Sequence, residues 1–259
     1  MVSKPVTTWC SLSRCCLTLL LFLETTASYA NSITVACPEN TRPFCYVADN
    51  KITGIVPEIY RELESRMQVQ FVIKAVPMKR ALLKLQDGQI AMAAPSLGTK
   101  KRALYSHFLE TPIFSTKVIL YGTKSSYFRY NSVDDLYGKV IGKRRGYYLA
   151  EQIAKGIESG KIKVVEANSD EQLLALLSKG RVDYVVTPEH VVAMNQWLVD
   201  SGQYTNYGEI SGETLLIVLL SKYHAFSSEL GRVNDVLSAM HADGTLERIV
   251  DKYPVRLPQ

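Results

Sequence analysis

The chain has 259 residues, of which 47% are hydrophobic and 21% charged, and its net charge is +5. That is enough apolar material for one large domain or two modest lobes. With 30 basic residues set against 25 acidic ones and scattered along the chain, the charge argues against nucleic acid as a partner.

Residues 1–30 read as an export signal. Lys4 and Arg14 supply a positive start, Cys15 to Leu23 an apolar run, and Ser28-Tyr29-Ala30 a cleavage site with small residues at both recognition positions. The apolar run is shorter than the roughly 20 residues that span a bilayer. Cleavage and a periplasmic location are therefore expected, with an uncleaved anchor as the alternative. No later stretch is both long enough and free enough of charge to span. Three of the five cysteines fall in this segment, which leaves Cys37 and Cys45. In an oxidising compartment this pair is expected to form a disulfide around the loop Pro38–Phe44. The alternative is two small buried thiols.

Ile33 to Cys37 reads as a buried strand, followed by a loop rich in turn formers. The spacing then predicts a helix from Pro57 to Met67, with Ile59, Leu63 and Met67 on one face. Val69 to Val76 reads as a second strand. Met78 to Gln86 reads as a helix stopped at Asp87-Gly88. Gln89 to Ala94 is a third strand. Strand and helix in alternation describe a parallel sheet covered by helices.

The third strand leads into Ser96-Leu97-Gly98-Thr99-Lys100-Lys101-Arg102 and a helical turn expected from Lys100 to His107. A strand ending in small residues and turning into a helix leaves backbone N–H groups free for a carboxylate or phosphate. Arg102 lies one helical turn beyond Thr99, so both side chains can converge on one anion. The arginine fork suits a carboxylate bidentately. The competing reading is a solvated basic turn.

The pattern then repeats. Leu82 to Ile90 resembles Leu174 to Val182: an apolar helix ends in glycine and a short strand follows. The second unit has strands expected at Lys139–Gly142 and Ile162–Val165 and a helix from Tyr147 to Glu158. A capping box is expected at Ser169–Gln172, and the strand Val182–Thr187 is followed by Pro188. Apolar runs at Thr116–Tyr121 and Thr214–Leu220 bracket this unit. If both cross between lobes, the second lobe is an insertion and the chain returns to the first. Leu230, Val233, Leu237 and Met240, then Leu246, Ile249, Val250 and Tyr253, form two helical stripes suited to packing there.

Taken together, the chain resembles the extracytoplasmic solute-binding proteins of family 3, the amino-acid receptors of ATP-driven importers. The likeness rests on Arg42-Pro43-Phe44 with Gly54, Gly88, Thr99-Lys100-Lys101-Arg102, and Val133-Asp134-Asp135-Leu136 with Gly138. It continues through Arg145-Gly146, Gly180-Arg181-Val182-Asp183, and Asp243-Gly244 with Lys252-Tyr253. The resemblance implies an α/β, two-lobed periplasmic-binding-protein fold (type II), each lobe a mostly parallel sheet flanked by helices, with a two-stranded hinge near Tyr121 and Leu215. Lobe 1 would comprise residues 31–121 and 216–259, and lobe 2 residues 122–215. Ligand would sit between the lobes, its carboxylate held by Thr99 and Arg102.

Several positions depart from the family pattern. An acidic residue that takes the ligand ammonium in amino-acid binders is replaced by Pro188, with Glu189 one residue on. Gly146 is followed by Tyr147 and Tyr148, where a small hydroxyl residue is common. Ser96 and Leu97 stand in place of a serine-rich stretch. Phe44 and Arg80 complete the expected ligand set, Arg80 because Lys79-Arg80, like Lys143-Arg144-Arg145, would make the cleft more cationic. The expected function is capture of a small carboxylate solute, an amino acid or related organic acid. The protein would be a monomer serving an inner-membrane ABC permease, without cofactor or metal. Two rivals share the fold: an enzyme similar to cyclohexadienyl dehydratases, with Glu39 or Glu189 as acid, and a free-standing solute sensor. None of the four histidines has a paired metal-ligand spacing.

Overall fold

Ile33–Pro38 (β1) opens the fold in the computed structural model, which describes Met1 and residues 32–253 apart from 125–127, 148 and 196–199, with backbone only at 212–214. The expected signal segment and Tyr148 lie outside the described residues. Every element of the fold belongs to the unit Ser32–Gln259. β1 is buried over its last four residues and is followed by a small hairpin, Tyr46–Ala48 (β2) and Lys51–Thr53 (β3). The helix Ile55–Met67 (α1) buries Ile59, Leu63 and Met67. Gly54 before it has φ 123°, and a Cβ there would stand 2.5 Å from the Phe44 carbonyl oxygen. Only glycine admits that approach. It lets Ile55 and Val56 donate to the carbonyls of Pro43 and Phe44, which fixes Phe44 in place.

Phe71–Val76 (β4), Met78–Gln86 (α2) and Met92–Ser96 (β5) complete the first α/β unit. β1 lies between β4 and β5, parallel to both. The helical turn expected from Lys100 to His107 ends early. Lys100–Ala103 (α3) is helical, and Ser106–Phe108 (β6) pairs with a later strand.

Phe114–Thr123 (β7) leads away from this unit. Beyond it come Val140–Arg144 (β8), Glu151–Glu158 (α4), Lys163–Ala167 (β9), Asp170–Ser178 (α5), Tyr184–Pro188 (β10) and Glu189–Ala193 (α6). β8 lies parallel to β9 and β10, and β10 runs antiparallel to β7. The helix expected from Tyr147 begins only at Glu151. Gly146 turns left-handed at φ 80°, and Tyr147 and Leu149 line the molecule's central cavity instead.

Tyr204–Ser221 (β11) returns the chain. It pairs antiparallel with β7 from Tyr204–Thr123 to Leu216–Phe114, then continues against β5 and β6. β7 and β11 thus join the two α/β units in one curled sheet of order β4-β1-β5-β11-β7-β10-β8-β9. After β11, a 3-10 turn at Ala225–Glu229, capped by the His224 ring, precedes Leu230–Ala242 (α7) and Thr245–Asp251 (α8). Their buried Val233, Leu237, Met240, Leu246 and Ile249 share one core with Val35, Phe44, Ile59 and Leu63. The second α/β unit has its own apolar clusters around Ile141, Ile153 and Ile162, and around Leu173, Leu177 and Val185. Among the described residues no helix is long and apolar enough to cross a membrane.

Candidate functional site

The loop from Pro38 to Cys45 forms one wall of the central cavity, and the sequence folds it tightly. Cys37 and Cys45 are joined by a disulfide. Asn40 takes φ 55°, a conformation asparagine tolerates better than most residues. Thr41 N–H donates to the Cys45 carbonyl at 2.8 Å, its hydroxyl donates to the Pro38 carbonyl, and Cys45 N–H donates back to Thr41. Thr41, Arg42 and Phe44 face the cavity from this closed loop.

The C-terminal end of β5 forms a second wall, through Pro95, Ser96 and Leu97. Ser96 is 3% exposed, and its hydroxyl has no hydrogen-bond partner among the described residues. Thr99 caps α3, its Oγ1 accepting from Arg102 N–H at 3.2 Å. That cap sends the Arg102 side chain back over the strand end, where Nη1 donates to Leu97 O at 2.8 Å. Nη2 reaches across the cavity to Gly146 O at 3.4 Å. Arg102 is 6% exposed. Burial pulls its guanidinium below the ordinary value, with Tyr105 and Tyr147 acting the other way. An arginine remains cationic under any such shift. None of the ion pairs among the described residues includes it, and its fork has donors to spare after these carbonyls.

The opposite wall comes from β8, β10, α5 and α6. Strand alternation turns Arg144 into the cavity, where its Nη1 meets Asp170 Oδ2 at 2.9 Å and Asn40 O at 3.3 Å. Its guanidinium lies 5.1 Å from the Tyr147 ring centroid. Asp170 stands at the first position of α5, behind the N-cap Ser169. Burial raises its carboxyl above the usual range, and Arg144 opposes that rise. Lys143 pairs with Glu166 at 2.9 Å. His190 in α6 is 4% exposed, shares a 3.1 Å hydrogen bond between Nδ1 and Thr116 Oγ1, and is held edge-on by Phe44 and Phe114. Burial lowers its pKa to about 3, so the ring is neutral. Burial also raises the Tyr147 hydroxyl above its ordinary value.

Between these walls lies a cavity of about 70 Å³, completed by Met78, Val118, Leu149, Val186, Pro188, Val191 and Leu216. Of the residues expected at the site, Arg102, Ser96, Leu97, Phe44 and Tyr147 line it. Thr99 does not, but positions Arg102. Arg80 is exposed, because α2 turns Met78, Ala81 and Leu85 inward and leaves Arg80 on the far face. Glu189 also lies outside the lining, since α6 presents the next two residues, His190 and Val191, to the cavity. Glu39 does not line it either. Sequence reasoning missed Asp170 and His190 and ranked Arg144 behind Arg80. Among the described residues, no group of three His, Cys, Asp or Glu side chains could hold a metal ion.

Two α/β units joined by paired crossing strands, with a cavity between them into which Arg102 and Arg144 reach, define a two-lobed binding fold. The chain belongs to the bacterial extracellular solute-binding proteins, family 3, which it matches over residues 33–255. It is 26% identical to the "Probable histidine-binding protein" of Campylobacter jejuni, covering 69% of this chain and 70% of that protein. It is 25% identical to "ABC transporter arginine-binding protein 1" of Escherichia coli, covering 88% and 92%. It is also 26% identical to "Membrane-bound lytic murein transglycosylase F" of Pseudomonas fluorescens over 64% of this chain, which spans 34% of that enzyme. Among solved structures, "An ancestral arginine-binding protein bound to arginine" superimposes with a TM-score of 0.73 at 24% identity, covering 86% of this chain and 97% of that one.

Proposed function

We propose that this protein is a periplasmic receptor that closes on a small carboxylate solute and presents it to an inner-membrane ABC permease. The observation behind this reading is Arg102: a guanidinium 6% exposed, facing a cavity and without an ionic partner among the described residues. A cation taken out of water is costly unless an anion meets it, and a ligand carboxylate supplies that anion. Ser96 and the Arg102 fork would hold the carboxylate, with Thr99 fixing the arginine. Residues 31–121 and 216–259 would form lobe 1 and residues 122–215 lobe 2, moving about β7 and β11. Residues 1–30 would direct export, and the receptor would act as a monomer. The relatives named as histidine- and arginine-binding proteins support an amino acid or related acid as the solute class.

The test is native mass spectrometry of the exported protein, to detect a carried solute, followed by calorimetric titration of that solute into wild type and Arg102→Ala. Equal affinity in both would reject the reading. A second reading, an eliminating enzyme on the same fold, has one observation in its favour: the Asp170 carboxyl, raised by burial, shares the cavity with Arg102. Against it, the Arg144 guanidinium at 2.9 Å opposes that rise by favouring the ionised carboxylate. Catalytic turnover of a cyclic acid, lost in Asp170→Asn, would favour the enzyme.

A further inference from the structure

Resting on the reading of this cavity as a carboxylate site, we propose that its solute is a small monocarboxylate that lacks an ammonium group. The solute would lay its apolar body against Val186, Pro188, Val191 and Leu216. The charges that face the cavity determine this. Lys143 is paired at 2.9 Å with Glu166, which the exposed Arg145 also meets at 3.1 Å, and Arg144 is matched by Asp170 at 2.9 Å. The His190 ring, wedged between Phe44 and Phe114, adds no charge. Arg42 also borders the cavity, but it is exposed and its guanidinium stacks on the Tyr46 ring; among the buried groups Arg102 is left, and it carries one unmatched positive charge.

A monocarboxylate cancels that charge. A zwitterionic amino acid brings one charge of each sign and leaves the cavity as cationic as before. A dicarboxylate overshoots by one. Rearrangement does not escape this sum. If Asp170 turned from Arg144 to meet an ammonium, Arg144 would become the unmatched cation in its place. Buried charge left unmatched in a closed site lowers affinity whichever residue bears it.

The polar atoms point the same way. Ser96 Oγ is buried at the cavity and has no partner among the described residues, and beside a cation its hydroxyl is suited to donate to a carboxylate oxygen. The other hydroxyls are engaged: Thr116 with His190, Thr41 with the Pro38 carbonyl and Tyr147 with Thr41. Where an ammonium would need side-chain acceptors, the wall offers Val186, Pro188 and Val191. The volume of about 70 Å³ leaves space for about five water-sized groups, which suits a short-chain acid.

The test is calorimetric titration of the exported protein, freed of carried solute by unfolding and refolding, with butyrate, 2-aminobutyrate and succinate. These share a four-carbon skeleton and differ in charge. Butyrate is expected to bind at least about tenfold tighter than either of the others. Equal or tighter binding of 2-aminobutyrate or succinate overturns the proposal, as does failure of butyrate to bind. Arg102→Ala separates the two levels of inference. If it abolishes binding of a preferred amino acid, the carboxylate site stands and this proposal falls. If it changes no affinity, the site reading falls as well. Pro188→Asp supplies a missing anion at a position where aspartate also caps α6 well. It should shift the preference toward 2-aminobutyrate, and a preference unmoved in a folded variant overturns the charge argument. Ser96→Ala, which removes only the unpartnered hydroxyl, should weaken butyrate by several-fold without loss of fold; an unchanged affinity overturns the assigned Ser96 contact.

Discussion

Arg144 and Asp170 form a buried ion pair at 2.9 Å that joins the end of β8 to the start of α5. The same guanidinium extends 3.3 Å to the Asn40 carbonyl in the disulfide loop. One side chain therefore ties the second α/β unit internally and touches the first across the cavity. Breaking such a pair by removing one partner leaves a buried charge uncompensated and costs about 3–5 kcal/mol. Asp170→Ala is expected to lose that much stability in urea denaturation, as is Arg144→Ala. The double variant should lose less than the sum of the singles. Additive losses would show that the pair does not act as a unit.

The disulfide holds the loop that supplies Thr41, Arg42 and Phe44 to the cavity. The oxidised protein should resist thiol alkylation in its native state. Reduction, or Cys37→Ser with Cys45→Ser, should cost about 2–5 kcal/mol of stability. Ligand affinity should also fall, because Phe44 would lose the fixed seat that Gly54 and α1 give it. Ready labelling of both thiols in the unreduced native protein would contradict the disulfide. Unchanged affinity after its loss would show that the loop needs no staple to shape the site.

Arg102 was legible in the sequence because four residues, Thr99 to Arg102, hold both the cap and the fork it orients. Ser96 and Leu97 followed from the strand end that leads to Arg102, and Phe44 came with the Arg42-Pro43-Phe44 stretch on which the family resemblance rests. Arg144 and Arg80 were harder to separate, since each sits in a run of cations and the outcome depends on which face turns inward. In β8, alternation brings Arg144 in. In α2, the stripe of Met78, Ala81 and Leu85 sends Arg80 out, and that stripe was readable. Asp170 was hidden because an acidic residue in a first helical turn is ordinary. His190 was hidden because its partners, Thr116, Phe44 and Phe114, are distant in sequence and meet only across the fold.

The neutral His190 ring gives the protein a defined acid response. Burial lowers its pKa from 6.5 to about 3, so the closed, folded form resists protonation. The stabilising contribution is complete above about pH 6.5 and is lost progressively as pH falls toward about 3. If opening exposes the ring, the open form takes up the proton that the closed form refuses. Ligand affinity should then fall by up to about tenfold per pH unit below 6.5, with about one proton bound on release. Calorimetry at several pH values measures both. His190→Gln should flatten the profile, and an unchanged slope in that variant would assign the effect to another group.

Arg102 makes the sharpest prediction. A ligand carboxylate on its fork would be matched to a cation almost wholly removed from water. Truncating one partner of such a pair costs roughly 2–5 kcal/mol, mostly by leaving the other charge buried and alone. For Arg102→Ala this corresponds to a loss of about thirtyfold to several thousandfold in affinity. Arg102→Lys should recover part of it, because a point charge replaces the Coulomb attraction but not the paired hydrogen bonds. Without ligand the sign should reverse. In the unliganded closed form the guanidinium is desolvated and meets neutral oxygens, the carbonyls of Leu97 and Gly146 and the Tyr105 hydroxyl. Removing it should leave thermal stability unchanged or slightly raised, and it should shift the unliganded protein toward closure, since closing no longer strips water from a cation. Small-angle scattering of the two proteins without ligand measures that shift. A more open Arg102→Ala protein, melting well below wild type, would mean that Arg102 holds the lobes together rather than waiting for an anion.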